Sequence, residues 1–381
     1  MSDPVTILHV CEHFGGREAS LHGVARSFQW QLPLFDPARY RVLLCSRKGP
    51  DKAAQEMIAG GLTPYYLGYG KFDPRNLLAL LRLIRRENAR LLHAHGYGAC
   101  LWARLAGRWL GLPVIVHGRC NYGTVPLFQR PVEWLLGPRT KYALAVSEST
   151  RQFLIHKRHI PAAAVQTLYN GILLDKIPRL DAAQRAALRA RFDVPPETWL
   201  LGIVGRLESH KGHLDVFAAL EIAANHPALR NRPWLLWVVG DGAYTPVLTE
   251  WARTHPQGQF IRFLGFQRDV LRLIQALDVQ LFPSHFEGTP NTLFEALAVG
   301  NPVIASDSDG QAELLTHGQN ALIYPCGNVP ALANCLTRAA AHPEQMTALA
   351  RQALERSRDF DGHRTIATLT DLYDHILNRH P

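Results

Sequence analysis

The sequence predicts an α/β protein of two doubly wound domains, each a largely parallel sheet with helices on both faces. Three observations predict it. The chain has 381 residues, long for a single core and natural for two. Short apolar runs alternate with segments of helical period from one end to the other. Those runs are continuously apolar, as strands are when a parallel sheet buries them on both faces.

In the first half the expected strands are residues 5–10, 40–46, 91–95, 113–117, 144–147 and 165–169, with helices near 24–32 and 76–87. Asn170-Gly171 then punctuates the chain, and a polar Ala/Arg-rich stretch, 181–192, leads to Pro195-Pro196. In the second half the expected strands are 199–205, 235–239, 260–264, 279–282, 302–305 and 321–324. The expected domains are 1–175 and 195–362, with a C-terminal helix near 363–381 returning to the first. Ligands of such sheets bind beyond the carboxyl ends of the strands, so one shared by two domains would sit in the cleft that they face. Functional residues should therefore lie on loops that follow strands.

Composition narrows the class. At 47% hydrophobic and 19% charged, with no low-complexity run, the chain reads as globular. Its six cysteines are scattered without a C-x-x-C pair, which excludes a zinc ribbon and a disulfide framework and suits a reducing cytoplasm. The first strand begins almost at once, with no basic-then-apolar leader before it, and no run reaches the roughly 18 apolar residues of a spanning helix. The net charge of +9 suits an anionic partner, a phosphorylated small molecule or an anionic membrane surface, and is equally met by a surface that is simply basic. Nucleic acid is not expected, because zinc-finger spacing, an RNA-recognition signature and a Lys/Arg-rich tail are all lacking. The expected location is the cytoplasm, with peripheral contact at the inner face of the cytoplasmic membrane left open.

The most informative segment follows the strand at 279–282. It reads Glu287-Gly288-Thr289-Pro290-Asn291-Thr292-Leu293-Phe294-Glu295. Thr289 suits an N-cap and Pro290 the first helical position, so a helix should start here and stop near Gly300. The amides of Asn291, Thr292 and Leu293 would then point at an anion, backed by the helix dipole. Glu295 lies one turn beyond Asn291 on the same face, and Glu287 stays in the loop. Taken alone, the segment is equally the start of an ordinary helix with solvated carboxylates.

Its neighbours add chemistry. Gly205-Arg206-Leu207-Glu208-Ser209-His210-Lys211-Gly212 follows the strand at 199–205, and Arg206 and Lys211 could meet a diphosphate whose charge grows as it leaves. Val239-Gly240-Asp241-Gly242 makes a tight strand-end turn. In the first half, Phe14-Gly15-Gly16-Arg17-Glu18 forms a glycine-rich turn, and Gly16 lets backbone approach a phosphate or sugar. His93, His95 and His117 lie at strand ends. His93 and His95 could imitate a metal pair, but no carboxylate or cysteine set accompanies them and no metal is assigned. Asp307-Ser308-Asp309 imitates a metal-binding D-x-D and is likewise given no metal role.

In this order the segments from 205 to about 325 resemble the retaining nucleotide-sugar glycosyltransferases of GT-B architecture, specifically glycosyltransferase family 4. Glu287 and Glu295 match that family's E-x7-E motif, and Gly205-Arg206…Lys211-Gly212 its diphosphate-binding stretch. Asp278…Pro283-Ser284 and Pro302–Ser306 to Glu313 also fit, although Asp309-Gly310 stands where the family often has two glycines. The resemblance implies that two Rossmann-like domains move a hexose-type sugar from a nucleoside-diphosphate sugar to a saccharide or lipid-linked acceptor. Retention without an enzyme nucleophile and without a metal or other cofactor comes with it. It implies Glu287, Arg206, Lys211 and His117 as catalytic groups. It also implies Gly16, Gly205, Arg206, Lys211, Asn291, Thr292, Leu293 and Glu295 as contacts to the nucleotide sugar. Ser147-Glu148 and Asn170-Gly171 match positions near the site.

Cell-envelope glycan or glycolipid synthesis is the expected setting. The stretch 76–90 combines an apolar stripe with a basic face, and Leu101-Trp102-Ala103-Arg104 with Arg108-Trp109 adds residues suited to a membrane interface. Both are equally helices that pack on the sheet. Two other functions compete: a sugar-nucleotide epimerase of the same fold, and a non-catalytic nucleotide-sugar-binding protein.

Overall fold

The computed structural model describes residues 3–15, 21, 23–119 and 123–380. The chain divides into two compact units, Met1–Gly171 with Gly362–Pro381, and Ile172–Asp361.

The first unit carries a seven-stranded sheet of β1 (Val5–Cys11), β2 (Tyr40–Ser46), β3 (Tyr65–Tyr66), β4 (Ala89–His95), β5 (Val114–Gly118), β6 (Tyr142–Ala145) and β7 (Val165–Thr167). Its order is β3-β2-β1-β4-β5-β6-β7, and every pairing is parallel. The chain moves outward from β1 to β3 and then crosses back to β4, so the order reverses between β1 and β4. All the strands expected from the sequence are present; β3 is an addition. Its two residues pair with Cys45 and Ser46, too short a run to leave a periodic signature.

Helices cover both faces. The helix Arg75–Arg86 buries Leu80, Leu81, Leu83 and Ile84 against Leu8 and Leu92, while its arginines stay on the other side. The helix Tyr97–Leu110 departs from its interfacial reading over most of its length. Leu101, Trp102 and Arg104 are buried, and the Arg104 guanidinium donates to both Glu133 oxygens at 3.0 and 3.2 Å. Glu133 is 1% exposed, so this cation is matched inside the protein and is not offered to a membrane. Of that set Arg108 and Trp109 are exposed, Trp109 at 71%. On the opposite face the C-terminal helix Gly362–Asn378 sets Ile366, Leu369, Tyr373 and Ile376 on one stripe, packed with Ile7, Phe28 and Leu91.

The second unit carries β8 (Trp199–Val204), β9 (Trp234–Val239), β10 (Ile261–Gly265), β11 (Val279–Phe282), β12 (Val303–Ser306) and β13 (Leu322–Tyr324). The order is β10-β9-β8-β11-β12-β13, again parallel and again reversing beside its first strand, between β8 and β11. The unit begins at Ile172, ahead of the expected 195. Its helix Ala182–Arg191 starts with a capping box of Asp181 and Gln184. From that helix Arg185 donates to Asp278 at 2.7 Å and Arg189 to the Ala276 carbonyl at 2.8 Å. Asp278 also accepts the Leu200 amide, so this motif residue ties a polar helix to the sheet.

Candidate functional site

In an open parallel sheet the ends of the two strands at the reversal splay their loops apart, leaving a crevice between them. In the second unit those loops follow β8 and β11, and they carry nearly all the residues singled out in that half.

Close backbone contact locks the two loops. Gly212 adopts φ +67°, and a Cβ there would lie 2.0 Å from the Pro283 carbonyl oxygen, so only glycine fits. The His285 amide donates to the His210 carbonyl at 2.8 Å, and the His210 ring stacks on Phe286 with centroids 4.4 Å apart. Burial, then the charges of Lys211, Arg206 and His285, push His210 down to about 4, so the stacked ring is neutral. His285 Nε2 lies 2.7 Å from Asp215. On the far side the Ser306 hydroxyl donates to the Ser284 carbonyl at 2.6 Å. The Gln311 amide donates to the carbonyls of Phe282 and Ser306 at 3.2 and 3.0 Å. The Gly310 amide reaches the Glu287 carbonyl at 3.3 Å.

These contacts bring Lys211 and Glu287 together as an ion pair between Nζ and Oε1, with side chains 18% and 13% exposed. Arg206 behaves differently. Its side chain is 66% exposed and lies 3.5 Å from Glu208, in the range where ion pairs hold weakly. The adjoining backbone is fixed: the Gly205 amide donates to Val239, the Leu207 amide to Asp241, and a Cβ on Gly240 would lie 1.8 Å from the Gly205 oxygen. A fixed backbone thus carries an exposed cation.

The helix Asn291–Val299 begins one residue later than expected, with Pro290 rather than Thr289 at the N-cap. Pro290 keeps an extended ψ of 129°, and its carbonyl accepts the Leu293 amide at 3.0 Å. Leu293 is fully buried as well, so the expectation that it offers an exposed donor is corrected. Asn291 and Thr292 open the first turn and are half-buried, as is Glu295 one turn on. Gly300 ends the helix at φ +70°. Asp307 accepts the Cys326 amide at 2.8 Å, a structural bond between two loops.

The first unit presents a different chemistry at its own reversal. His9 on β1 pairs in register with His93 on β4, and His95 with His117 on β5. All four rings are buried and held neutral, chiefly by burial, with His9 pushed down to about 3. They bond in two pairs, His9 Nδ1 to His95 Nε2 at 3.1 Å and His93 Nε2 to His117 Nδ1 at 2.9 Å. The Tyr373 hydroxyl joins His93 Nδ1 at 2.6 Å and His9 Nε2 at 3.0 Å. Arg119 reaches His95 Nδ1 at 3.1 Å and the Asn170 side-chain oxygen at 2.9 Å.

His9, His93 and His95 lie close enough for one metal ion, their ligand atoms within 4.8 Å of one another. Both nitrogens of each ring, however, are already hydrogen-bonded, and the guanidinium beside His95 opposes a cation. Ser147 caps the helix Glu148–Arg158, bonded to the Thr150 amide at 3.1 Å, which is a structural use. Gly16 lies outside the described residues.

Sequence reasoning singled out Lys211, Glu287 and His117 for the site and gave His93 and His95 no role. It missed His9, Tyr373, His210, Gln311 and Ser306. A histidine inside the apolar run 5–10 was a usable signal for the first; the others act through contacts between segments distant in sequence.

Comparison with known proteins follows this division. Residues 184–356 match the family Glycosyl transferases group 1, and residues 23–176 match Glycosyltransferase Family 4. Over 315 residues the chain is 28% identical to the putative glycosyltransferase EpsF of Bacillus subtilis, covering 79% of each. It is 22% identical over 275 residues to the UDP-Gal:alpha-D-GlcNAc-diphosphoundecaprenol alpha-1,3-galactosyltransferase of Escherichia coli, covering 70% of each. Among solved structures the fold is similar to that of Anabaena Alr3699/HepE in complex with UDP. That match has a TM-score of 0.83 and 17% identity, over 97% of this chain and 100% of that one. The same Anabaena protein in complex with UDP-glucose matches at 0.82, with 17% identity over 97% and 99%.

Proposed function

The chain belongs to glycosyltransferase family 4, with the two parallel-sheet domains of GT-B enzymes, and we propose that it moves a hexose from a nucleoside-diphosphate sugar to a hydroxyl acceptor with retention of configuration. The acceptor class that we propose is a saccharide or lipid-linked glycan of the cell envelope. The observation that carries the reading is the Lys211–Glu287 pair at the reversal of the second sheet, one loop away from the helix start at Asn291.

A partly buried ion pair at a helix start is an anion site in waiting. Lys211 and Glu287 satisfy each other until a donor arrives. The diphosphate then takes Lys211 and Arg206, and Glu287 is released to accept hydrogen bonds from the sugar hydroxyls. Glu295 holds the ribose, and the amides of Asn291 and Thr292 face the phosphates. As the bond from the sugar carbon to phosphate breaks, the two cations take up the charge that grows on the diphosphate. Attack comes from the same face. The acceptor oxygen bonds to the sugar carbon, and its proton passes to the departing phosphate oxygen. No carboxylate forms a bond to the sugar, and fixed cations do what a metal ion does in other transferases.

The assay is incubation with a panel of nucleotide sugars, with and without saccharide and lipid-linked acceptors. Release of nucleoside diphosphate that rises with acceptor supports the reading, and coupling constants of the product report its configuration. A sugar epimerised with no diphosphate released would favour the epimerase; binding without turnover would favour a non-catalytic module.

Membrane contact is proposed for the first unit, which exposes Leu127, Trp134 and Trp109 at 75%, 73% and 71% in a chain of net charge +9. No helix among the described residues is long and apolar enough to cross a membrane. Co-sedimentation with anionic vesicles should be strong at low salt and weak at high salt. No binding at either would remove this contact.

A further inference from the structure

The histidine cluster of the first unit contains a direction. Arg119 can only donate, so His95 Nδ1 must accept from it at 3.1 Å. A neutral imidazole carries one proton, which in His95 is then on Nε2, and Nε2 donates to His9 Nδ1 at 3.1 Å. The His9 proton is therefore on Nε2 and goes to the Tyr373 oxygen at 3.0 Å. The Tyr373 hydroxyl donates onward to His93 Nδ1 at 2.6 Å. His93 in turn holds its proton on Nε2 and donates to His117 Nδ1 at 2.9 Å. One position remains at the end of the chain. His117 carries its proton on Nε2, a buried atom with no hydrogen-bond partner among the described residues.

We propose that Arg119 polarises a relay through His95, His9, Tyr373 and His93 that locks His117 as an Nε2–H donor. The step of logic needs each ring to hold a single proton. Burial supplies that condition, since it holds all four rings below their usual range, and Arg119 itself is pushed down only to about 10 and stays charged. The geometry does the rest. His117, at the end of β5, has its Nδ1 occupied and its Nε2 buried, and it lines a small cavity with Gln31, Arg119, Asn170 and Thr365 as well as the other histidines.

The locked tautomer decides the role. His117 can donate a hydrogen bond from Nε2, and it cannot accept a proton there as a base. Tyr373 lies on the C-terminal helix, so a residue distant in sequence sets the proton of His117. Tyr373 and Arg119 are thereby positioning residues. Their effect on transfer rests on the function proposed above; the proton arrangement does not.

The test is a long-range proton–nitrogen correlation spectrum of the full chain with labelled histidine, recorded without substrate. The expected result is one Nε2–H tautomer at each of His9, His93, His95 and His117. Tyr373→Phe should keep the ring packing and release His93 and His117 into mixed tautomers, while His95 is unchanged. Arg119→Met should release the relay from its other end, at His95. An Nδ1–H form at His117 in the parent protein, or unaltered His93 and His117 signals in Tyr373→Phe, would overturn the proposal. Should Tyr373→Phe fail to fold, the parent spectrum decides by itself. In transfer assays Tyr373→Phe should lower kcat roughly tenfold, the worth of one misdirected hydrogen bond, with nucleotide affinity within twofold. An unchanged kcat would remove the relay from transfer. A locked relay in a protein that transfers no sugar would overturn the proposed function and leave the proton arrangement standing.

Discussion

The two units share a topology and fill the same place in it with opposite chemistry. Where the first sheet reverses, β1, β4 and β5 carry four buried neutral histidines, with the part-buried Arg119 just after β5. Where the second reverses, β8 and β11 run into loops with charged side chains that reach solvent, Arg206 at 66% and Lys211 at 18% exposed. A doubly wound sheet supplies a crevice and nothing more. What the crevice does depends on whether its lining side chains are desolvated. Buried groups hold a proton pattern, because moving a proton there means leaving a polar atom unpaired. Half-exposed charges can exchange one partner for another at little cost, as a site that must release its product requires.

That contrast can be broken most sharply in the second unit. Lys211→Ala or Arg206→Ala should lower turnover by roughly 10²–10³-fold, the scale of removing one preorganised group that stabilises developing charge. Rates within threefold of the parent would show that these cations do not serve the diphosphate. Glu295→Ala should weaken nucleotide binding by roughly tenfold or more, the worth of a hydrogen bond to a charged group. Calorimetry that returns an unchanged affinity removes the ribose assignment.

The first unit should betray itself through pH instead. A histidine kept neutral inside the fold takes up its proton first in the unfolded chain, so acid favours unfolding. With His9 lowered from 6.5 to about 3 and His93, His95 and His117 also lowered, stability should be full above about pH 6.5 and fall as pH drops toward 3. His210, lowered to about 4, adds a smaller contribution of the same sign from the second unit. Melting temperatures measured between pH 7.5 and 5 should therefore decline. Replacing His9 with Asn should flatten the decline. A flat profile in the parent protein would mean that the cluster is hydrated or charged.

Much of this molecule was legible as sequence. Continuous apolar runs gave the strands, because a strand buried on both faces needs apolar side chains at every position. Pro290 and Gly300 marked the ends of one helix to within a residue, since each restricts the backbone locally. Glu287 and Lys211 were recognisable by their spacing within ordered motifs, although their pairing was not: it depends on Gly212 lying against Pro283 across two loops. Leu293 was read as a donor because position in a helix was known and the carbonyl of Pro290 was not. Local conformation and burial pattern are properties of neighbours along the chain, and the sequence by itself determined them. The direction of the hydrogen bonds from Arg119 to His117 belongs to residues 9, 93, 95, 117, 119 and 373 together. Only the tertiary structure decided it, because a proton's place on an imidazole is set by what the other nitrogen touches.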